Sequence, residues 1–460
     1  MQRPNILIIT TDQQRFDALG ANGNAEIHTP NLDALARDSI NYDHCFVQHP
    51  LCMPSRLSFL SGQYPSQTRV THMGVPVPQD LPILPHYLNN YGYHCANIGK
   101  LHFLPHANRD HREVHPKYGF DQLEISDEPG PYEDAYRAWV RAKAPDQLQH
   151  ISLRLPPAAQ TWQELMNVQD GITHPQLGQL TTKAFEGRAD VTHSAFVGEQ
   201  TINYLNGRNE GEPFLCIAAF YSPHEPWVVP QKYLDLYDSS QLSIPEFPAE
   251  VERPDEGWMS DDGLRRAKHG YYAMISEVDH YVGQIIQTLR DNGQYENTVI
   301  VFTSDHGEWL GDFERWGKGF PGQDCVSRVP LMVHFPRGEN GQTVSGIVEA
   351  VDVLPTLLQA VGIPIPAVLG GTPLPPHADA AGKSSALLES EIGKTLRTPR
   401  FRYVVTTDGT EQLFDLTQPL GEYHDVAARA EYAADLAEVR RELVQRLLSI
   451  ERPLPRVWVY

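Results

Sequence analysis

Short runs of apolar and β-branched residues at 6–10, 94–98, 214–220, 298–304 and 330–335 punctuate a chain whose intervening stretches carry helical periodicity. Runs of this length without polar alternation suit strands buried on both faces. The pattern therefore predicts an α/β fold with a large, mostly parallel sheet flanked by helices. The clearest helical pattern covers 264–290 and stops at Asn292-Gly293, just before the run at 298–304. Two runs end in turns bearing carboxylates, Thr11-Asp12-Gln13 and Asp305-His306-Gly307-Glu308. Ligands of open α/β sheets sit beyond the carboxyl ends of the strands, so Asp12 and Asp305 are expected to face each other despite their distance in sequence.

The rhythm breaks twice. Residues 105–192 are rich in His, Pro, Gln and charge with weak periodicity, and are expected as an insertion over the sheet. Proline density rises over 363–376 and a small-residue stretch follows at 378–385, marking a boundary between a domain of residues 1–375 and a subdomain of 376–460. In the latter, strands at 401–406 and 411–414 joined at Asp408-Gly409, with an amphipathic helix over 428–450, predict a small α+β unit. The final stretch 452–460 is apolar for a free end and is expected to be docked.

Composition narrows the classes. With 37 basic against 58 acidic residues, a formal net charge of −21 disfavours sequence-independent nucleic-acid binding, so any anion site must be built locally. Cys45, Cys52, Cys95, Cys216 and Cys325 are odd in number and scattered, which argues against a disulfide framework or a structural zinc site. The opening apolar run is too short for a signal peptide or membrane span, so no membrane association and a cytoplasmic location are expected.

The most informative segment is Cys52-Met53-Pro54-Ser55-Arg56, which puts a thiol beside a guanidinium at the mouth of an apolar helix, where an anion would be held. Taken alone, it also fits a half-buried cysteine before a helix whose Pro and Ser are start signals. Its surroundings favour the first reading. The motif resembles the modification motif of type I sulfatases, in the alkaline phosphatase superfamily. The resemblance continues through 28–36, 60–65, Gly99-Lys100-Leu101-His102, Ser222-Pro223-His224-Glu225-Pro226, Ser304-Asp305-His306-Gly307-Glu308, Trp316-Gly317-Lys318-Gly319 and Arg328-Val329-Pro330-Leu331, in the family's order. Leu413-Phe414-Asp415-Leu416 and the residues at 421–427 resemble its closing segment.

The resemblance implies an alkaline phosphatase-like fold and a sulfuric ester hydrolase. Its nucleophile is formylglycine, made from Cys52 by a formylglycine-generating enzyme. It also implies one divalent metal on Asp12, Gln13, residue 52, Asp305 and His306. Calcium is the family's metal, yet His306 stands where many members have Asn and Gln13 where many have Asp, a set that shifts preference toward manganese. By the same resemblance Arg56 holds the aldehyde hydrate, Lys100 and Lys318 neutralise the sulfuryl oxygens, His224 protonates the leaving alcohol, and His102 takes the proton that releases sulfate. Some related enzymes oligomerise through C-terminal extensions, which suggests a homodimer or homotetramer with 452–460 at the interface.

Alternatives remain. A phosphonate monoester or phosphodiester hydrolase of the same superfamily shares the metal set, whereas Lys100 and His102 point to the sulfatase. A non-catalytic sulfate-ester binder is weaker, since Cys52, Arg56, Asp12 and Asp305 are all present. The alcohol of a small-molecule or carbohydrate sulfate is not readable. Trp227, Trp309 and Trp316 could line its pocket or simply pack loops. His106, His111 and His115 are expected as loop histidines without a duty.

Overall fold

A computed structural model describes residues 3–451, apart from 108, 170, 172, 173, 210 and 337. The expected docking tail, 452–460, lies outside the described residues. The main sheet has eight strands: β1 (Asn5–Thr11), β2 (Ile40–Tyr42), β3 (His94–Gly99), β4 (Gln122–Ile125), β5 (Phe214–Ala219), β6 (Thr298–Ser304), β7 (Leu331–His334) and β8 (Gln342–Val344). Their order is β8-β2-β7-β6-β1-β5-β3-β4. Only β7 runs antiparallel to its neighbours, so the sheet is mixed and mostly parallel.

The continuous apolar runs are explained by two cores. Ile6 and Ile8 of β1 join Leu215, Ile217, Val299 and Val301 on one face, while Leu7 and Ile9 join Cys216, Ala218, Ile300 and Phe302 on the other. With period 2 and helices on both sides, every residue of β1 and β6 is buried. Each such Leu, Ile or Phe contributes on the order of 1.5–3 kcal/mol by leaving water. The helix Asp261–Asp291 covers the second face with Val278, Val282, Ile285 and Leu289. It starts before the expected 264 because Ser260 accepts the Gly263 N–H and Asp261 and Asp262 suit the helix N-terminus, signals that carry no apolar period.

The stretch 105–192 does not lie wholly over the sheet: β4 is its edge strand, and Thr182–Ala184 pairs with Trp227–Val229 beside the His224 turn. Beyond 385, strands Ala386–Ser390, Gly393–Arg397, Phe401–Thr406 and Glu411–Asp415 form a separate antiparallel sheet. The first two were not expected. The last helix covers this sheet with Leu436, Val439 and Leu443 and begins at Ala433, after a 3-10 turn over Ala430–Tyr432.

The C-terminal sheet grips the loop that follows Lys318. Thr395 Oγ1 donates to Pro321 O (2.8 Å), Arg397 forks onto Asp324 (2.9 and 2.9 Å), and buried Arg402 reaches Gly322 O, Asp324 and Glu422.

Candidate active site

Strand register assembles the site. Thr11 pairs with Ser304, Thr10 with Ala219, and Gly99 with Ala219, so the chains carrying Asp12, Asp305, Lys100 and His224 leave the sheet along one edge. Gly99 is required there: at φ +95 its Cβ would land on the Ala219 carbonyl oxygen. Over this edge the helix Cys52–Ser61, buried at every position, presents its first turn, and Gly62 ends it in the left-handed region. Cys52 is thus the first residue of a helix whose unpaired N–H groups and dipole favour an anion.

The converging groups are close. One ligand atom each from Asp12, Cys52, Asp305 and His306 lies within 4.8 Å of the others. His306 Nε2 is 3.2 Å from Cys52 Sγ and 3.6 Å from both Asp12 Oδ1 and Asp305 Oδ1. Its Nδ1 donates to Gly307 O (2.9 Å), which aims Nε2 inward. Lys318 Nζ is 2.8 Å from Cys52 Sγ, and Lys100 Nζ contacts Asp12 Oδ2. Arg56 donates from Nε to Asp305 Oδ2 (2.8 Å) and from Nη1 to Lys100 O (3.0 Å), tying three elements together; its buried Nη2 has no hydrogen-bond partner among the described residues.

These charges set one another. Burial pushes Asp12 up, but Lys100, Lys318, His224 and Arg56 outweigh it and hold the carboxyl well below its usual range. Burial and Asp12 push the Cys52 thiol up, yet Lys318, Lys100 and His306 bring it below its ordinary value. Burial opposes charge on His306, but Asp305 and Cys52 raise it.

Gln13 departs from a simple ligand. At φ +74 its N–H donates to Asp305 Oδ1 (3.0 Å), and its side-chain nitrogen donates to Glu225 Oε2 (2.6 Å) and to Glu308. Its Oε1 is buried and unpartnered among the described residues. Two carboxylates, a thiol and an imidazole within 4.8 Å of one another, with an orphaned buried amide oxygen on the residue after Asp12, make a donor set that fits a divalent cation.

His224 donates through Nδ1 to Glu225 O (2.8 Å), beside Tyr221 Oη at 3.0 Å. Burial first, with Lys318 and Lys100, brings it down to about 4 against Glu225 and Asp12. His102, at φ +54, has its N–H on Asp127 Oδ1 (2.8 Å) and its ring stacked on His106.

The site matches more than its parts. A family model, Sulfatase, fits residues 4–363. The chain belongs to the Sulfatase family. An arylsulfatase of Clostridium perfringens is 28% identical across 97% of this chain and 94% of that protein. A choline-sulfatase of Rhizobium meliloti is 30% identical across 90% and 80%, respectively. The solved phosphonate monoester hydrolase of Agrobacterium radiobacter superposes with a TM-score of 0.79 at 26% identity, covering 97% of this chain and 96% of that one. The sulfatase is therefore a sulfuric ester hydrolase with an alkaline phosphatase-like fold.

Several polar residues of this sulfatase's site were not foreseen. Glu308 accepts the N–H of Leu310 (3.1 Å) and of Gly317, pinning the turn that carries Lys318; burial and Glu225 raise it to about 8. Its only signal was its place directly after Asp305-His306-Gly307. Asp127 gave none. His106 and His111 are buried within a network rather than idle loop residues. Trp227 and Trp309 pack: Trp227 is 1% exposed against Trp316, and Trp309 Nε1 donates to Gln323 Oε1 (3.1 Å). Among the described residues all five cysteines are free, and no helix is long and apolar enough to cross a membrane.

Proposed function

We propose that the chain hydrolyses sulfate monoesters at residue 52, matured from cysteine to formylglycine, with a divalent cation on Asp12, Gln13, Asp305 and His306. The observation that carries this reading is the crowding of three cations at a buried helix mouth, Lys318 on Cys52 and Lys100 and Arg56 on the adjoining Asp12. Hydrated formylglycine supplies one hydroxyl for attack on sulfur and a second whose deprotonation releases sulfate. The cation, calcium by family resemblance and manganese as the alternative, supplies Lewis acidity that lowers the pKa of the attacking hydroxyl.

The chain's own side chains do the rest. Lys318 and Lys100 face the negative charge that grows on the sulfuryl oxygens, an electrostatic contribution often the largest in such sites. Arg56 holds the helix mouth against Asp305. His224, with Nδ1–H committed to Glu225 O, offers Nε2–H to the leaving oxygen when protonated, and the sulfate anion favours that form. His102 accepts the proton that frees sulfate.

The further assignments are of the same standing. A formylglycine-generating enzyme matures residue 52, a small-molecule or carbohydrate sulfate is the substrate, and the four remaining free thiols suit the cytoplasm. A homodimer or homotetramer is proposed through 452–460; deletion of that stretch that leaves the oligomeric state in solution unchanged rules it out.

A second reading, phosphonate monoester hydrolysis, is favoured by His306 in the metal set and by the Agrobacterium radiobacter structure. The ratio of kcat/KM for an aryl sulfate over the matching aryl phosphonate monoester, with calcium and manganese each supplied, decides between them: above one supports the sulfatase, below one the alternative. Cys52→Ala should abolish turnover, and Cys52→Ser should trap sulfated enzyme. Near-wild-type activity of either removes formylglycine from the scheme.

A further inference from the structure

β3 and β4 run parallel with Gly99 opposite Ile125, so Lys100–His102 and Ser126–Glu128 leave the sheet side by side. Asp127 Oδ1 accepts the N–H groups of Leu101 (2.9 Å) and His102 (2.8 Å), which holds His102 in its left-handed conformation. Asp127 Oδ2 lies 3.6 Å from His106 Nε2, and Glu128 Oε1 lies 3.3 Å from His106 Nδ1. Ionised carboxylates only accept, so a ring with both nitrogens facing them is best satisfied when both carry protons. The His106 ring stacks on His102 with centroids 4.3 Å apart and planes at 24°.

Behind His106 the packing is closed. His111 donates from Nε2 to His106 O (2.9 Å) and accepts at Nδ1 from Arg109 (2.8 Å), which fixes it as a neutral tautomer. It stacks on Tyr132 at 3.6 Å, with Trp162 edge-on to both.

We propose that His106 is a positioning residue for His102: held as an imidazolium between Asp127 and Glu128, it fixes the plane of the His102 ring and, by like charge, keeps that ring neutral and able to accept a proton. The proposal rests on the reading of His102 as the base that frees sulfate. His102 faces His106, Lys100, Arg56 and Asp127; burial and the three cations push it well below its ordinary range against Asp127 alone. His106 faces Asp127, Glu128, His111 and Tyr132; burial pushes it down, and the two carboxylates outweigh this and raise it to about 9.

The test is an imidazole-resolved NMR titration of the full chain with Cys52 unmatured, which needs no turnover, paired with pH–rate profiles of the matured enzyme. In the wild type His106 should stay protonated through neutral pH while His102 stays neutral. In His106→Gln the His102 midpoint should rise by at least about one unit, and the acid limb of kcat should move up with it, leaving kcat/KM, which is set before sulfate release, unchanged. A wild-type His106 that loses its proton below neutral pH, or a His102 midpoint unmoved in His106→Gln, overturns the proposal. If His106→Gln does not fold, Glu128→Gln keeps both rings and should lower the His106 midpoint; an unmoved midpoint overturns it equally. A His102 midpoint that moves without the acid limb supports the ring pairing and removes only the assignment of His102 as the base.

Discussion

Lys318 Nζ lies 2.8 Å from Cys52 Sγ, and its loop is held from two sides, by Glu308 on the Gly317 N–H and by the C-terminal sheet on Pro321 and Asp324. The pairing can be read before maturation. Burial pushes Cys45, Cys95, Cys216 and Cys325 up, so in the unmatured, metal-free chain Cys52 alone should form a thiolate at lower pH than an ordinary thiol. Lys318→Met should raise the midpoint of thiolate ultraviolet absorbance. In matured enzyme it should cost roughly 10²–10³ in kcat for a sulfate ester, the usual loss of one transition-state donor. An unchanged thiolate midpoint would show that Lys318 does not govern this site.

His306 offers the one nitrogen among otherwise oxygen and thiol donors, with Nε2 turned inward by the Gly307 carbonyl. Replacing it with Asn substitutes a hard amide oxygen. His306→Asn should weaken manganese binding more than calcium binding, by on the order of tenfold, a size that even outer-shell partners of metals carry. Calorimetric titration of both metals checks the ratio; equal loss for the two would leave the metal preference to some other feature.

What could be read in advance follows from which forces are local. β1, β5 and β6 were legible because burial on both faces writes an unbroken apolar run into the sequence. β2 has three residues, and β4 alternates Gln-Leu-Glu-Ile at the sheet edge, so neither carries such a run. Asp12 and Asp305 could be paired because each ends a legible strand. Asp127 and His106 could not, because their contact with His102 depends on the parallel register of β3 with the strand that was missed. The strands at 386–397 were passed over for a related reason: the small residues before them read as linker, while their own packing is against the distant Leu413 and Leu436.

Glu349, in the short strand Val348–Glu349 outside the main sheet, ties the C-terminal sheet and last helix to Tyr64. It is fully buried and accepts from Lys383 (2.6 Å), Arg446 (2.6 Å), Tyr64 Oη (2.7 Å) and the Leu387 N–H (2.9 Å). Burial would raise its carboxyl, but Lys383 and Arg446 bring it to about 2. A carboxyl depressed by folding stabilises the fold above its unfolded value of about 4.3 and stops doing so as pH falls through the folded one. Glu349→Gln should therefore destabilise by roughly 3–5 kcal/mol at neutral pH, as one partner of a buried ion network is lost. Urea unfolding should show the wild type and variant converging as pH approaches 2. A difference that stays constant with pH would assign the loss to packing.

His224 is the proposed acid, and an acid matters in proportion to the leaving group's need for a proton. An aryl sulfate with a low-pKa phenol departs as its anion, whereas an alkyl sulfate cannot. His224→Gln, which keeps a donor for Glu225 O and Tyr221, should cost roughly 10²–10⁴ in kcat/KM for an alkyl sulfate and far less for a nitrophenyl sulfate. The resting imidazole is held to about 4, first by burial and then by Lys318 and Lys100, so in free enzyme its protonated fraction falls as pH rises above that value. The alkyl sulfate should therefore lose kcat/KM with rising pH in the wild type, and this slope should vanish in His224→Gln. Equal losses for both leaving groups would mean that His224 binds the sulfuryl oxygens rather than protonating the alcohol.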